Sequence, residues 1–216
     1  MTDLTVRGGP GAVVRAEIEV KRSRFLCRLV RVTDEEEARD AVEQARKEHW
    51  SARHHCSAFV LGPAGEPDQV RRSNDDGEPS GTAGAPMLEV LTGRGLVDCV
   101  AVVSRYFGGV LLGAGGLVRA YSDAVTAATD AAHLVARQRR ELLTVDLPHA
   151  DAGRVEAELR KQGVTVLGTD YHRQARLHLA CTPDGVGHLR GSVAAVTGGS
   201  AELVSRGVEW VDVELS

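Results

Sequence analysis

One run constrains the fold more than any other: from Leu96 to Ser104 the chain is apolar almost without a break. That pattern predicts a strand covered on both faces, since a half-exposed strand would alternate polar and apolar residues. Helical segments lie on either side of it. Thr33-Asp34-Glu35-Glu36 fits a capping box with acidic side chains at the positive helix end, and Ala38, Ala41, Val42 and Ala45 follow at helical spacing. A helix is therefore predicted over 34–48. Pro86 can open a short helix through Leu91, because its fixed φ suits a first turn. Leu117, Tyr121, Ala124, Val125, Ala128 and Ala132 mark a longer one with an apolar stripe.

Ile18 and Val20, then Phe25, Cys27 and Leu29, alternate as a half-buried strand pair would. Cys56–Leu61 and Gln69–Ser73 bracket the turn-rich 62–67 and predict a hairpin. Asn74–Gly84 has no apolar period and is dense in Gly, Asp, Ser and Pro, which makes it a loop. The polar, basic stretch Ala136–Glu141 predicts a linker, dividing the chain into domains at 1–136 and 137–216. Beyond it the order is regular: a strand at Val145 and Leu147, a helix at Ala152, Val155 and Leu159 stopped by Gly163, and strands at Val164–Val166 and Ala175–Cys181. A helix at Val186–Val196 stopped by Gly198-Gly199 and a strand at Val211–Leu215 complete it. This β-α-β-β-α-β order is the ferredoxin-like pattern.

Composition excludes several classes. No apolar run approaches the ~18 residues needed to span a bilayer, and Met1–Val14 lacks an apolar signal core, so a loosely held leader and a cytoplasmic location are expected. The net charge of −4 gives no general field for coating nucleic acid, so such contact has to be local. Lys21, Lys47 and Lys161 are the only lysines beside 23 arginines, a bias that fits genome composition. Cys27, Cys56, Cys99 and Cys181 form no Cys-x-x-Cys pair, which predicts buried reduced thiols.

Four segments could carry chemistry. Gly108-Gly109 and Gly113–Gly116, between a strand and a helix, let a backbone approach a ligand near Arg105 and Arg119, or let the helix pack closely on the sheet. Their spacing matches neither the P-loop nor the dinucleotide fingerprint. Asp75, Asp76 and Glu78 supply three carboxylates, either the start of a metal site or general base, or an exposed acidic turn. They do not make an EF-hand, and Ser80 lacks the nucleophile elbow. His54-His55-Cys56, with His49, is not spaced for zinc, because strand neighbours face opposite ways. Lys21, Arg22, Arg24, Arg28 and Arg31 surround Phe25, either to track a nucleic-acid backbone or to keep a sheet edge solvated.

Lys21–Phe25, Ala52–Cys56, Asp75–Gly84, Arg105–Gly109 and Leu112–Tyr121 together closely resemble the YigZ/IMPACT family, over about Lys21 to Ala132. The resemblance implies an α/β sandwich related to ribosomal and elongation-factor domains, followed by a C-terminal domain similar to one of elongation factor G. Eukaryotic members regulate translation by interfering with activation of an initiation-factor kinase. This sequence shows no partner-binding domain ahead of the shared region, so the kinase role is not expected here.

The expected function is a cytoplasmic, non-enzymatic factor in translation or its regulation, binding RNA or a ribosome-associated partner without cofactor or metal. Arg24, Arg105 and Arg119 are expected to contact phosphate or partner, with Tyr106, Gly108, Gly109, Gly115 and Gly116 shaping that surface. The alternatives are a hydrolase or phosphoryl-transfer enzyme holding a metal on Asp75, Asp76 and Glu78, and a scaffold whose acidic loop docks a basic partner.

Overall fold

The computed structural model describes residues 2–215. It divides into two compact units, Met1–Arg137 with Asp212–Ser216, and Gln138–Val211. The first begins with a short strand, β1 (Leu4–Val6), and a hairpin, β2 (Val13–Val20) and β3 (Ser23–Arg31), whose turn is Lys21-Arg22. Helix α1 (Glu35–Glu48), the hairpin of β4 (His54–Leu61) and β5 (Val70–Asn74), and helix α2 (Gly84–Gly93) follow. Strand β6 (Cys99–Tyr106), helix α3 (Ala114–Asp130) and the long strand β7 (Leu134–Leu147) come next.

Strands β2 to β6 make a sheet of order β2-β3-β6-β4-β5 in which every neighbour is antiparallel. β6 is its middle strand and is buried through Arg105, because both faces are covered. Val100 and Val102 pack with Val30, Val32 and the alanines Ala38, Ala41 and Ala45 of α1. Ala101 and Val103 join Phe25, Cys27, Leu29, Cys56 and Ala58 beneath Met87 and Leu91 of α2 and Leu117, Tyr121 and Val125 of α3. The result is a three-layer α/β/α sandwich, as the resemblance implied, with the doubly covered strand that the apolar run predicted at its centre.

Several local expectations change. The cap of α1 is one residue later than the capping box suggested. Asp34 accepts from the Glu37 N–H at 2.8 Å as N-cap, and the Glu37 carboxylate reaches back past it to accept from the Thr33 N–H at 2.7 Å, a variant of the capping box shifted by one residue. The expected leader is built into the fold: β1 pairs with Leu134–Ala136, Val6 is buried, and the Leu4 N–H and C=O bond Gly95 and Val97. Polar Ala136–Glu141 lies within β7 where a linker is expected: Ala136 pairs with β1, the Arg137 N–H donates to the Asp3 carbonyl at 2.7 Å and Glu141 begins the pairing with β9, and backbone bonds of this kind hold a strand whatever its side chains.

The second unit contains the later part of β7, α4 (His149–Lys161), β8 (Thr165–Tyr171), β9 (Ala175–Cys181), α5 (Val186–Thr197) and β10 (Leu203–Glu214) as far as Val211. β9 lies between β7 and β8, and β10 also pairs with β7, which is the ferredoxin-like strand order. Leu143, Val145, Leu177 and Leu179 pack with Val155 and Leu159 of α4 and Leu189 and Val193 of α5. Gly198 ends α5 in the left-handed conformation that favours glycine, φ 60°. Among the described residues no helix is long and apolar enough to cross a membrane.

Candidate functional site

The registers of the β2–β6 sheet put one end of each of its strands in the same place. Val20 and Ser23 flank the β2–β3 turn, Arg24 lies opposite Tyr106 at the end of β6, and His54 at the start of β4 lies opposite Arg105. β5 leaves the sheet at Asn74, beside Ser57, and opens the acidic loop at that end. Segments 21–25, 52–56, 75–84 and 105–113, far apart in sequence, therefore meet at one sheet end.

At its centre is a buried polar cluster. The Arg105 guanidinium donates to Glu78 Oε1 at 2.6 Å, and the Tyr121 hydroxyl donates to the same oxygen at 2.8 Å. The Arg105 and Glu78 side chains are only 8% and 4% exposed. Phe25 and Phe107 hold the guanidinium between their rings, with centroids 5.4 and 5.7 Å from Cζ. Cys56 Sγ lies 3.0 Å from the Asp75 carbonyl oxygen and 3.3 Å from Tyr121 Oη. Burial pushes the Cys56 thiol up to about 12, so it stays protonated at neutral pH and is no nucleophile. Arg105 Nε is buried with no partner in the structure.

The three carboxylates of the acidic loop do not converge. Asp75 accepts from the backbone N–H groups of Gly81, Ala83 and Gly84 at 2.8, 3.0 and 2.8 Å, tying the loop at the start of α2. Asp76 accepts from the His55 N–H at 2.6 Å and from Arg46 at 2.8 Å, while Glu78 turns inward to Arg105. Among the described residues no three His, Cys, Asp or Glu side chains are grouped to hold a metal ion. The loop is neither a metal cradle nor a free acidic turn, because each carboxylate already has donors of its own.

Burial pushes the Asp75 carboxyl up, but the three backbone donors outweigh it and its pKa lies below the usual carboxylate value. A lowered folded-state pKa stabilises the fold above the unfolded value, about pH 4, and that contribution is lost as the pH falls through the folded value. Asp75→Ala is expected to cost about 1–2 kcal/mol at pH 7, as loss of a helix cap does. Urea unfolding at pH 7 and pH 3 checks this: the difference between variant and wild type should shrink in acid.

The sequence-predicted surface is divided by the sheet. Arg24 and Tyr106 face α1: Arg24 makes a two-point ion pair with Glu17 and lies over the Tyr106 ring, whose hydroxyl meets His49. Phe25 and Arg105 face α2 and α3. Arg105 is thus a buried scaffold residue, not an exposed phosphate contact, and does not share a surface with Arg24. The basic stripe is dispersed too. Arg28 bonds Glu48 and Gln44, and buried Arg31 bonds the Val6 carbonyl and Asp212. β3 is an inner strand, so neither a solvated edge nor a continuous basic track exists there. His54 and His55 point to opposite faces, towards the Asp76 carbonyl and Ser104. Cys27, Cys56 and Cys99 are buried and free, whereas Cys181 is only half-buried.

The glycines also separate by role. A Cβ on Gly108 would lie 2.0 Å from the Arg22 carbonyl carbon, so the loop is pressed onto the β2–β3 turn. Gly115 would meet nothing, and Gly116 only the Leu112 side chain, so close helix packing does not account for them. Gly113 caps α3 without a side-chain acceptor, and no acidic residue lies in the first turn.

What remains exposed is a set of residues the sequence did not single out together. Lys21 and Arg22 occupy left-handed positions, φ 47° and 67°, where hairpin turns favour Gly or Asn. Lys21, Arg22, Arg53 and Arg119 are exposed and carry no ion-pair partner among the described residues. Phe107 is 47% exposed and Leu111 83%, and with Arg53, His54 and Arg105 they line a cavity of about 200 Å³. Trp50 lies four residues before β4, also exposed. The signal for the turn is a two-residue gap between alternating runs with no glycine in it.

The Impact N-terminal domain family matches residues 21–129, and a domain of unknown function, DUF1949, matches residues 145–200. The chain is 38% identical to the IMPACT family member YigZ of Escherichia coli over 91% of this chain and 96% of that protein. It is 48% identical to the IMPACT family member YvyE of Bacillus subtilis over 67% of this chain, a match spanning 65% of that relative. A crystal structure titled as that of a hypothetical protein superimposes with a TM-score of 0.59 at 35% identity, over 94% of this chain and 97% of its own.

Proposed function

This chain belongs to the IMPACT family, and from that premise we propose that it is a non-enzymatic, cytoplasmic factor in translation or its regulation. It binds RNA or a ribosome-associated partner at the sheet end described above. The observation that carries this reading is the convergence of four motif segments on one end, where Arg53, exposed and without an ion-pair partner among the described residues, lines a cavity with exposed Phe107 and Leu111 beside the buried polar cluster. Arg22, Arg53 and Arg119 are free to neutralise phosphates or acidic groups, whereas the carboxylates and the thiol of the same site are held by protein groups. The arrangement is that of a binding surface, not of an activated nucleophile with its base. The regulatory role follows from what the family resemblance implies of its members.

The test is co-sedimentation of the purified protein with ribosomes and total RNA across a salt series, wild type against an Arg22/Arg53/Arg119 triple alanine variant. Binding is expected to weaken with salt. For RNA the slope of log affinity against log salt should fall by roughly 2 in the variant, about 0.7 for each single-strand phosphate that the variant no longer neutralises. No sedimentation at low salt, or an unchanged variant, would overturn the assignment.

A further inference from the structure

Resting on the RNA arm of that reading, we infer that the cavity between Phe107, Leu111, His54, Arg53 and Arg105 receives one unstacked nucleobase of a single-stranded RNA. Its size comes first. About 200 Å³ is below the roughly 300–1,000 Å³ of sites for cofactors and drug-sized molecules, so it admits one ring and not a base pair. Its chemistry comes next. The Phe107 ring and the Leu111 side chain offer apolar surface to solvent, while the positive charge of Arg105 is already met by Glu78. An isolated phosphate would gain little from that charge, whereas a flat base gains stacking surface from a ring already lying over a guanidinium.

The polar atoms point the same way. Arg105 Nε is a buried donor with no acceptor, so the site is short of acceptors, which base edges carry. Arg53 lines the cavity, the Arg22 backbone is pressed against Gly108 next to Phe107, and the uncapped start of α3 follows Leu111 by three residues, so cationic and N–H groups are at hand for the flanking phosphates. A duplex cannot use this arrangement, because its base faces are covered by their neighbours.

A short RNA carrying one 2-aminopurine, single-stranded or annealed to its complement, tests this by fluorescence titration of the full chain. The single strand is expected to bind with a fluorescence change, and the duplex to bind weakly without one. Phe107→Ala should weaken single-strand binding by about 5- to 150-fold with an unchanged salt slope, and Phe107→Tyr should restore it. Leu111→Ala, at a side chain 83% exposed, gives a second readout in a variant that folds normally, with a smaller loss in the same direction. Equal duplex binding, an indifferent Phe107→Ala, or the same response to the mononucleotide alone would overturn the base site while leaving RNA binding by the arginines intact. Complete absence of RNA binding, with ribosome co-sedimentation that resists nuclease, would overturn the base site and leave the partner arm of the proposed function standing.

Discussion

Glu78→Ala is expected to lower the stability of the first unit by about 3–5 kcal/mol, the usual cost of removing one member of a buried ion pair. Two groups lose their acceptor at once. Arg105 keeps a charge on a side chain only 8% exposed, and the Tyr121 hydroxyl loses the oxygen it donates to and keeps only the Cys56 thiol at 3.3 Å. Thermal melting should show a fall of roughly 6–20 °C at this chain length. The loss measures the damage of an orphaned charge and not the net worth of the pair. A double variant, Glu78→Leu with Arg105→Met, should therefore recover much of the stability, since apolar replacement of a buried pair is often near neutral. Recovery in the double variant with no recovery of RNA or ribosome binding would show that the pair is kept for the shape and charge of the surface. A single variant as stable as wild type would mean that the cluster is open to water.

Gly108→Ala is expected to be the second most damaging change. The new methyl would lie 2.0 Å from the Arg22 carbonyl carbon, 2.1 Å from its oxygen and 2.4 Å from the Ser23 nitrogen. All three are backbone atoms and cannot rotate away. Overpacking a fitted contact costs about 1–3 kcal/mol, occasionally more, and a clash with backbone belongs at the upper end. The turn or the loop must move, so the Lys21-Arg22 cations and Phe107 lose their relative placement and binding should fall with stability. Neighbouring glycines supply the controls. Gly109 is open to solvent at φ 84°, and its alanine variant should cost only about 1–2 kcal/mol of backbone strain. Gly115 is helical and open, so Gly115→Ala should be neutral or stabilising by up to about 1 kcal/mol. Urea unfolding of the three variants gives this order, and equal values would remove the special role of Gly108.

The contrast among these glycines shows where reading the chain reaches its limit. The Gly-rich run is visible at once, but its members look alike, since composition carries no distances. The same holds for the arginines. Arg24 and Arg105 read in sequence as exposed contacts, yet one lies in an ion pair on the α1 face and the other is buried on the opposite face. Two arginines in strands of unknown register carry no information about which face each occupies. Asp75, Asp76 and Glu78 resemble a ligand cluster because they lie within four residues, and a turn sends each side chain to a separate set of donors.

The amino-acid sequence by itself determined most of the elements and the α/β character of the chain, because hydrophobic periodicity is local and each period of two or of about 3.6 residues acts over a few residues. The doubly covered strand β6, the helices α1 and α3 and the β-α-β-β-α-β order of the second unit all follow from it. Only the tertiary structure decided that β3 is an inner strand, that residues 136–141 continue a strand, and that four distant segments share one sheet end. Strand order and register depend on contacts between residues dozens of positions apart, and through them the structure fixes which charges are buried in pairs and which are left free to bind.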